Sequence, residues 1–178
     1  MDNDISFYYD PQRQGYDTNL WKTVTGTPAE SGGYLVFNNA AAVGYDDIFK
    51  ARVIYSINVP VAPTIGDVRF FGFGQLAGNI RVGFDITDDV ISAKCSKGSA
   101  VTLVNITWKA GWTNAVVDFE VRWQGFEVKF FINGVKYATI NANDLGLVYE
   151  PISLYVKNTN ADNLKIANIS VLDIKSII

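Results

Sequence analysis

The stretch "DFEVRWQGFEVKFFINGVKYATI", residues 118 to 140, decides the fold. Phe119, Val121 and Trp123 alternate with Asp118, Glu120 and Arg122, so the first strand has one apolar and one charged face. Gln124-Gly125 and Asn133-Gly134 stand between the apolar runs, where two-residue hairpin loops need positive φ. Asn-Gly between alternating runs is the strongest short hairpin signal. The stretch reads as a three-stranded antiparallel meander turning at those two dipeptides.

The same period of two runs outward in both directions. Upstream come "YLVF" (34–37) after Gly32-Gly33, and "DIFKARVIYSINV" (47–59), ended by Pro60 and Pro63. "VRFFGFG" (68–74) follows the turn Gly66-Asp67, and "NIRVGFDI" (79–86) follows Ala77-Gly78. "VISAKCS" (90–96) follows Asp88-Asp89, and "AVTLVNITW" (100–108) follows Lys97-Gly98. Downstream, "ISLYVKN" (152–158) and "LKIANISVLDI" (164–174) close the chain, with "NANDLG" (141–146) as one short helical turn. No window of a dozen residues carries an apolar repeat at i, i+3, i+4. Many short strands without intervening helices predict an all-β, two-sheet antiparallel jelly-roll sandwich. The predicted domain is 20–178, preceded by residues 1–19 as an N-terminal arm or a first strand.

Composition narrows the function classes. The chain has 178 residues, 48% of them apolar, enough for one domain with a two-layer core. Net charge is −3 and no basic stripe interleaves with aromatics, so nucleic acid is not an expected partner. The longest apolar runs are strand-length, so membrane insertion is not expected either. The opening "MDNDISFYYD" lacks the basic start and apolar core of a signal peptide, which implies folding in a cytoplasm. The single Cys95 cannot form an internal disulfide and reads as a small hydrophobe in a strand. Histidine is absent, which removes the usual general base and the commonest zinc ligand.

The order of these motifs resembles the concanavalin A-like jelly rolls: laminin G domains, legume-type lectins and laminarinase-type glycoside hydrolases. "VVDFEVRWQGFEVKFFINGVKYATI" is similar to their late hairpin, and "PISLYVKNTNADNLKIANISVLDI" to the two strands that finish the fold. "LWKTVTGTPAESGGYLVF" is similar to its opening, and the match covers most of residues 20 to 175. In the hydrolases one strand carries Glu-x-Asp-x-x-Glu, with a bulge that brings the last Glu round to the other two. A retaining mechanism needs two carboxyls roughly 5 to 5.5 Å apart. The resemblance places Asn79, Arg81 and Phe84 at the three acidic positions. None of the three can serve as nucleophile or acid. Asp85, Asp88 and Asp89 do not reproduce the spacing in a shifted register. The expectation is therefore a chain without glycosidase activity. Glu120 and Glu127 read instead as members of a solvated cross-strand charge cluster with Arg122 and Lys129.

A lectin-like sheet binds sugars with aromatic platforms and amides, because a sugar ring has an apolar face and a hydroxyl rim. The candidate carbohydrate-binding residues are Asn79 and Arg81 in the groove that holds the hydrolases' active site, with Phe71 beside them. Trp112 in "KAGWTN" (109–114) and Tyr45 in "VGYDD" complete the set. Trp21, Trp108 and Trp123 are assigned to core or edge packing. The Asn-rich loop 157–163 offers calcium one carboxylate, Asp162, where a tight site wants several, so no cofactor is expected.

The expected function is that of a non-enzymatic lectin-like module, as a decoration or fibre-type structural protein on a bacteriophage virion surface. The alternatives are a stand-alone carbohydrate-binding module and a β-glucan hydrolase. The virion reading joins an outward-facing recognition fold to the missing export signal. Phe7, Tyr8 and Tyr9 would be the docking residues on a capsid or tail protein or on a second copy of the chain. The arm's position discriminates: pairing within its own sheet favours a free module, and reaching onto another chain favours assembly.

Overall fold

The structure is a computed structural model, and it describes residues 7–48, 51–59, 68–75, 79–87, 90–147, 152–159 and 162–173. Among the described residues, fifteen strands form two antiparallel sheets of eight and seven. The only α-helix among them is a single turn, Pro11–Gln14, capped by the Asp10 side chain accepting from the Gln12 amide. The predicted all-β jelly-roll sandwich is the observed architecture.

The eight-stranded sheet contains β1 (Phe7–Tyr9), β3 (Ala29–Ser31), β4 (Tyr34–Phe37), β6 (Ala51–Asn58), β11 (Val116–Gln124), β12 (Glu127–Ile132), β13 (Val135–Asn141) and β15 (Leu164–Asp173). Its order is β13-β12-β11-β6-β15-β4-β3, with β1 paired to β15. The seven-stranded sheet contains β2 (Trp21–Thr25), β5 (Ala40–Ile48), β7 (Arg69–Gln75), β8 (Ile80–Thr87), β9 (Val90–Lys97), β10 (Ala100–Thr107) and β14 (Ile152–Asn158). Its order is β10-β9-β8-β7-β14-β5-β2.

The core between the sheets is an aromatic stack. Phe71 of β7 meets Phe119 of β11 edge-on with centroids 4.9 Å apart, and Phe84 of β8 meets Phe130 of β12 at 5.4 Å. Both pairs cross between the sheets, so they fix the layers relative to each other as well as burying area. Tyr55 buries its ring in the same core and donates its hydroxyl hydrogen to the Gly72 carbonyl at 2.7 Å.

Three expectations need correction. The predicted strand 47–59 is two strands in different sheets, with Asp47 and Ile48 ending β5 and residues 51–58 forming β6. No glycine or proline stands within 47–59, so the crossing between sheets carries no turn signal in the sequence. The first meander turn is Gly125-Phe126, because Gln124 still pairs with Glu127. The turn after β9 is likewise Gly98-Ser99, because Lys97 pairs with Ala100. In both loops the glycine comes first and takes the positive φ, +59° at Gly125 and +58° at Gly98. Asn133-Gly134 turns as expected, both residues at positive φ between the paired Ile132 and Val135. The turns at Gly66-Asp67, Ala77-Gly78 and Asp88-Asp89 lie outside the described residues.

Residues 40–46 of strand β5 had no counterpart in the sequence reading, since its alanines have low β-propensity. Pairing on both sides, with β14 and β2, overrides that preference. The small residues are needed there, because a Cβ on Gly44 would sit 2.8 Å from the Trp21 ring.

Candidate functional site

The outer face of the seven-stranded sheet, turned away from the aromatic core, carries a groove that gathers predicted site residues. Three rows cross it, set by strand register. The first row runs Ser153, Gly74, Arg81, Ser96, Val101 and the second Tyr155, Gly72, Gly83, Lys94, Leu103. The third runs Lys157, Phe70, Asp85, Ser92, Asn105. The groove over these rows has a volume of about 300 Å³, with Asn79 at its margin.

Glycine shapes its floor. Gly72 and Gly83 face each other across β7 and β8, and a Cβ on Gly83 would approach the Phe70 ring to 2.9 Å. A Cβ on Gly74 would approach Tyr155 equally closely, at 2.9 Å. The two aromatic rings therefore lie down over glycine and pack with Val43 in a small apolar cluster outside the main core. That leaves Phe70 only 3% and Tyr155 only 4% exposed, although both stand on an outer face.

Charge covers that floor. The Arg81 guanidinium lies 4.0 Å above the Tyr155 ring and is held there by donating Nη1 to the carbonyls of Gln75 at 3.1 Å and Ile80 at 2.6 Å. Lys94 Nζ donates to Asp85 Oδ2 at 2.6 Å, while Asp85 Oδ1 is buried with no partner among the described residues. Lys157 Nζ, on the groove's other side, forms no ion pair with a described residue.

The structure places the predicted site residues as follows. Arg81 and Asn79 line the groove, the latter exposed at positive φ, +47°. Phe71 does not: strand parity sends it, fully buried, into the core, and its neighbour Phe70 takes the outer face. Trp112 does not either. A 3₁₀ turn, Ala110–Trp112, folds it back edge-on against Trp108 at 5.7 Å, and Lys109 reaches over its ring. Tyr45 falls in β5, and its side chain lies outside what is described.

Phe84 stands where the resemblance wants the last acid. β8 pairs with β7 and β9 from Ile80 to Ile86 without a register shift. No bulge turns Phe84 outward, and it stays in the core. Glu120 and Glu127 do not face one another, since Glu120 pairs with Phe131 and Glu127 with Gln124. Nor is Glu120 solvated. It is 5% exposed, clasped by Arg52 and by Arg122, whose Nη2 donates to Oε2 at 3.1 Å. Burial works to raise its pKa, but the hydrogen bonds and charges of Arg122 and Arg52 outweigh burial and hold it below the usual carboxylate range. In loop 157–163, Asn158 donates Nδ2 to the carbonyls of Phe37 and Asp162 at 2.7 and 2.6 Å. Residues 160–161 are outside the described set.

The N-terminal residues are a strand. Phe7, Tyr8 and Tyr9 pair with Val171, Ser170 and Ile169 of β15. Tyr9 is fully buried edge-on against Trp21 at 5.9 Å, so it is not available to dock on a partner. The alternation of a half-buried strand puts Tyr8 outside, 49% exposed, and the Phe7 side chain lies outside what is described.

Lys94, Ser96, Tyr155 and Lys157 were missed. Counting register back across the Asp88-Asp89 turn would have placed Ser92, Lys94 and Ser96 beside Asp85, Gly83 and Arg81. Nothing local pairs β14 with β7, and that pairing brings Tyr155 and Lys157 in.

No protein-family model matches this chain, and no curated protein sequence does. Solved structures match it over nearly its full length at low identity. The laminarinase catalytic domain from Thermotoga maritima MSB8, in complex with cetyltrimethylammonium bromide, aligns with a TM-score of 0.76 at 12% identity, covering 99% of this chain and 100% of that one. The endo-β-1,3-glucanase from Pyrococcus furiosus aligns with a TM-score of 0.74 at 11% identity, covering 95% and 94%. A glycoside hydrolase family 16 endo-glucanase from Bacteroides ovatus, in complex with G4G3G-2F-DNP, aligns with a TM-score of 0.68 at 10% identity, covering 93% and 99%. The chain thus has the laminarinase-like, concanavalin A-like jelly-roll fold.

Proposed function

We propose that this chain is a non-catalytic glycan-binding module whose ligand lies in the groove over β14, β7, β8 and β9. The carboxylate inventory of that groove carries the reading. Its one lining carboxylate among the described residues, Asp85, is tied to Lys94. Hydrolysis with retention needs two carboxyls roughly 5 to 5.5 Å apart, one of them able to hold a proton. The positions that would supply them are an exposed Asn, an Arg braced on backbone carbonyls and a core Phe. What the groove keeps is suited to holding a sugar: the Asn79 amide, the Ser96 hydroxyl and guanidinium N–H groups. The sugar-processing names of the structural neighbours support a glycan over other ligands.

Assembly on a virion drew on a free aromatic arm. With residues 7–9 paired into the domain's own sheet, a module acting alone is the better supported form. The test is incubation with laminarin, lichenan and agarose, followed by a reducing-end assay and by affinity electrophoresis through gels containing each polysaccharide. The expected result is no new reducing ends. Turnover abolished by Asp85→Asn would refute the reading.

A further inference from the structure

We infer that the groove selects an anionic polysaccharide, one bearing sulfate or carboxylate groups, over a neutral β-glucan. The inference rests on the glycan-binding reading above and adds the ligand's charge. Its first support is what the groove withholds. Neutral sugars are gripped chiefly by stacking an apolar ring face on an exposed aromatic ring. Here Phe70 and Tyr155 lie flat over glycines, and the outer surface of Tyr155 is occupied by the Arg81 guanidinium. No aromatic platform is open among the described residues lining the groove.

Its second support is what the groove presents. Among the described residues, Arg81, Lys94 and Lys157 line it against one carboxylate, Asp85, in a chain whose net charge is −3. The local sign is opposite to the global one, and a groove with low-dielectric walls focuses such a field. Lys94 is spent on Asp85, whereas neither of the other two cations forms an ion pair with a described residue. Arg81 commits Nη1 to two carbonyls, which leaves Nε and Nη2 with no acceptor among the described residues. Those two atoms are one edge of a planar fork, the geometry that binds a carboxylate or sulfate bidentately. Tyr155 stands between them and Lys157 in the row order, with the guanidinium over its ring. Two cations therefore flank one ring, which suits an acid group on one sugar and a second on its neighbour.

The experiment is affinity electrophoresis of the full chain through gels containing laminarin (neutral), polygalacturonate (carboxylate) or dextran sulfate (sulfate). Each gel is run at low salt and again with added sodium chloride. Lys157→Ala and Arg81→Gln are compared with Lys136→Ala, an exposed lysine on the other sheet. The expected result is retardation by one or both polyanions, at least tenfold stronger than by laminarin and falling steeply with salt. Lys157→Ala and Arg81→Gln should each weaken it tenfold or more while Lys136→Ala leaves it unchanged. Retardation by the carboxylate polymer alone or by the sulfate polymer alone identifies the acid group. Equal retardation by laminarin overturns the inference and leaves the glycan reading standing. Equal loss in Lys136→Ala overturns it as diffuse surface attraction. Retardation by none of the three polysaccharides overturns the glycan reading itself. Unchanged melting of Lys157→Ala, a surface substitution, keeps a folding defect from passing as lost binding.

Discussion

Replacing Tyr9 with alanine tests whether the first residues belong to the domain. Tyr9 is fully buried, its ring edge-on to Trp21 at 5.9 Å and its hydroxyl donating to the Gly15 carbonyl. Truncating a buried aromatic ring costs about 3 to 5 kcal/mol, from lost transfer free energy plus the cavity left behind. The aromatic contact accounts for about 0.5 to 1.5 kcal/mol of that, and the hydrogen bond for about as much again. Tyr9→Phe isolates the hydroxyl and should cost about 1 kcal/mol. Tyr8, one residue away but 49% exposed, should cost at most about 0.5 kcal/mol when cut to alanine. For a domain of this length each kcal/mol moves Tm by about 2 to 4 °C, so Tyr9→Ala should melt about 6 to 20 °C early. Urea unfolding followed by tryptophan fluorescence checks the free energies, and Trp21 itself reports on the site. A Tyr9→Ala midpoint within error of Tyr8→Ala would refute the reasoning and restore a detachable arm.

The remaining predictions concern the two sheets. Glu120→Gln should lose about 1 to 2 kcal/mol at pH 7, toward the low end for a buried charged hydrogen bond because Arg52 and Arg122 both reach solvent. The Glu120 pKa is lowered on folding, so its contribution is present above the ordinary carboxylate range and is lost as pH falls through that range and below it. Thermal melts between pH 7 and pH 3 should converge for wild type and Glu120→Gln, and parallel curves would refute the assignment. Cys95 is fully buried, and burial pushes its thiol up to about 12, so a disulfide reagent at pH 8 should label the native protein negligibly and the unfolded protein fully. Rapid labelling of the native form would mean that β9 opens far more readily than its pairing on both sides implies.

What the sequence by itself determined is everything that local chemistry dictates. Asn133-Gly134 and Gly32-Gly33 turn where they stand because those residues tolerate positive φ, and period-two alternation assigns Phe119, Val121 and Trp123 to one face without reference to any other strand. It also placed Asn79, Arg81 and Phe84 at the positions where the resemblance expects acids. Only the tertiary structure decided which of two equivalent faces is core and which strand lies beside which. Alternation is blind to the difference between Phe70 and Phe71, and inter-sheet packing against Phe119 decided it. The crossing between Ile48 and Ala51 is equally unmarked, because no glycine or proline interrupts residues 47 to 59. The groove depends most on that non-local decision. Arg81, Tyr155 and Lys157 come together only because β14 pairs with β7 and β7 with β8. Pairing between segments 79 or more residues apart, Ser153 with Gly74 among them, carries no signature in either segment alone.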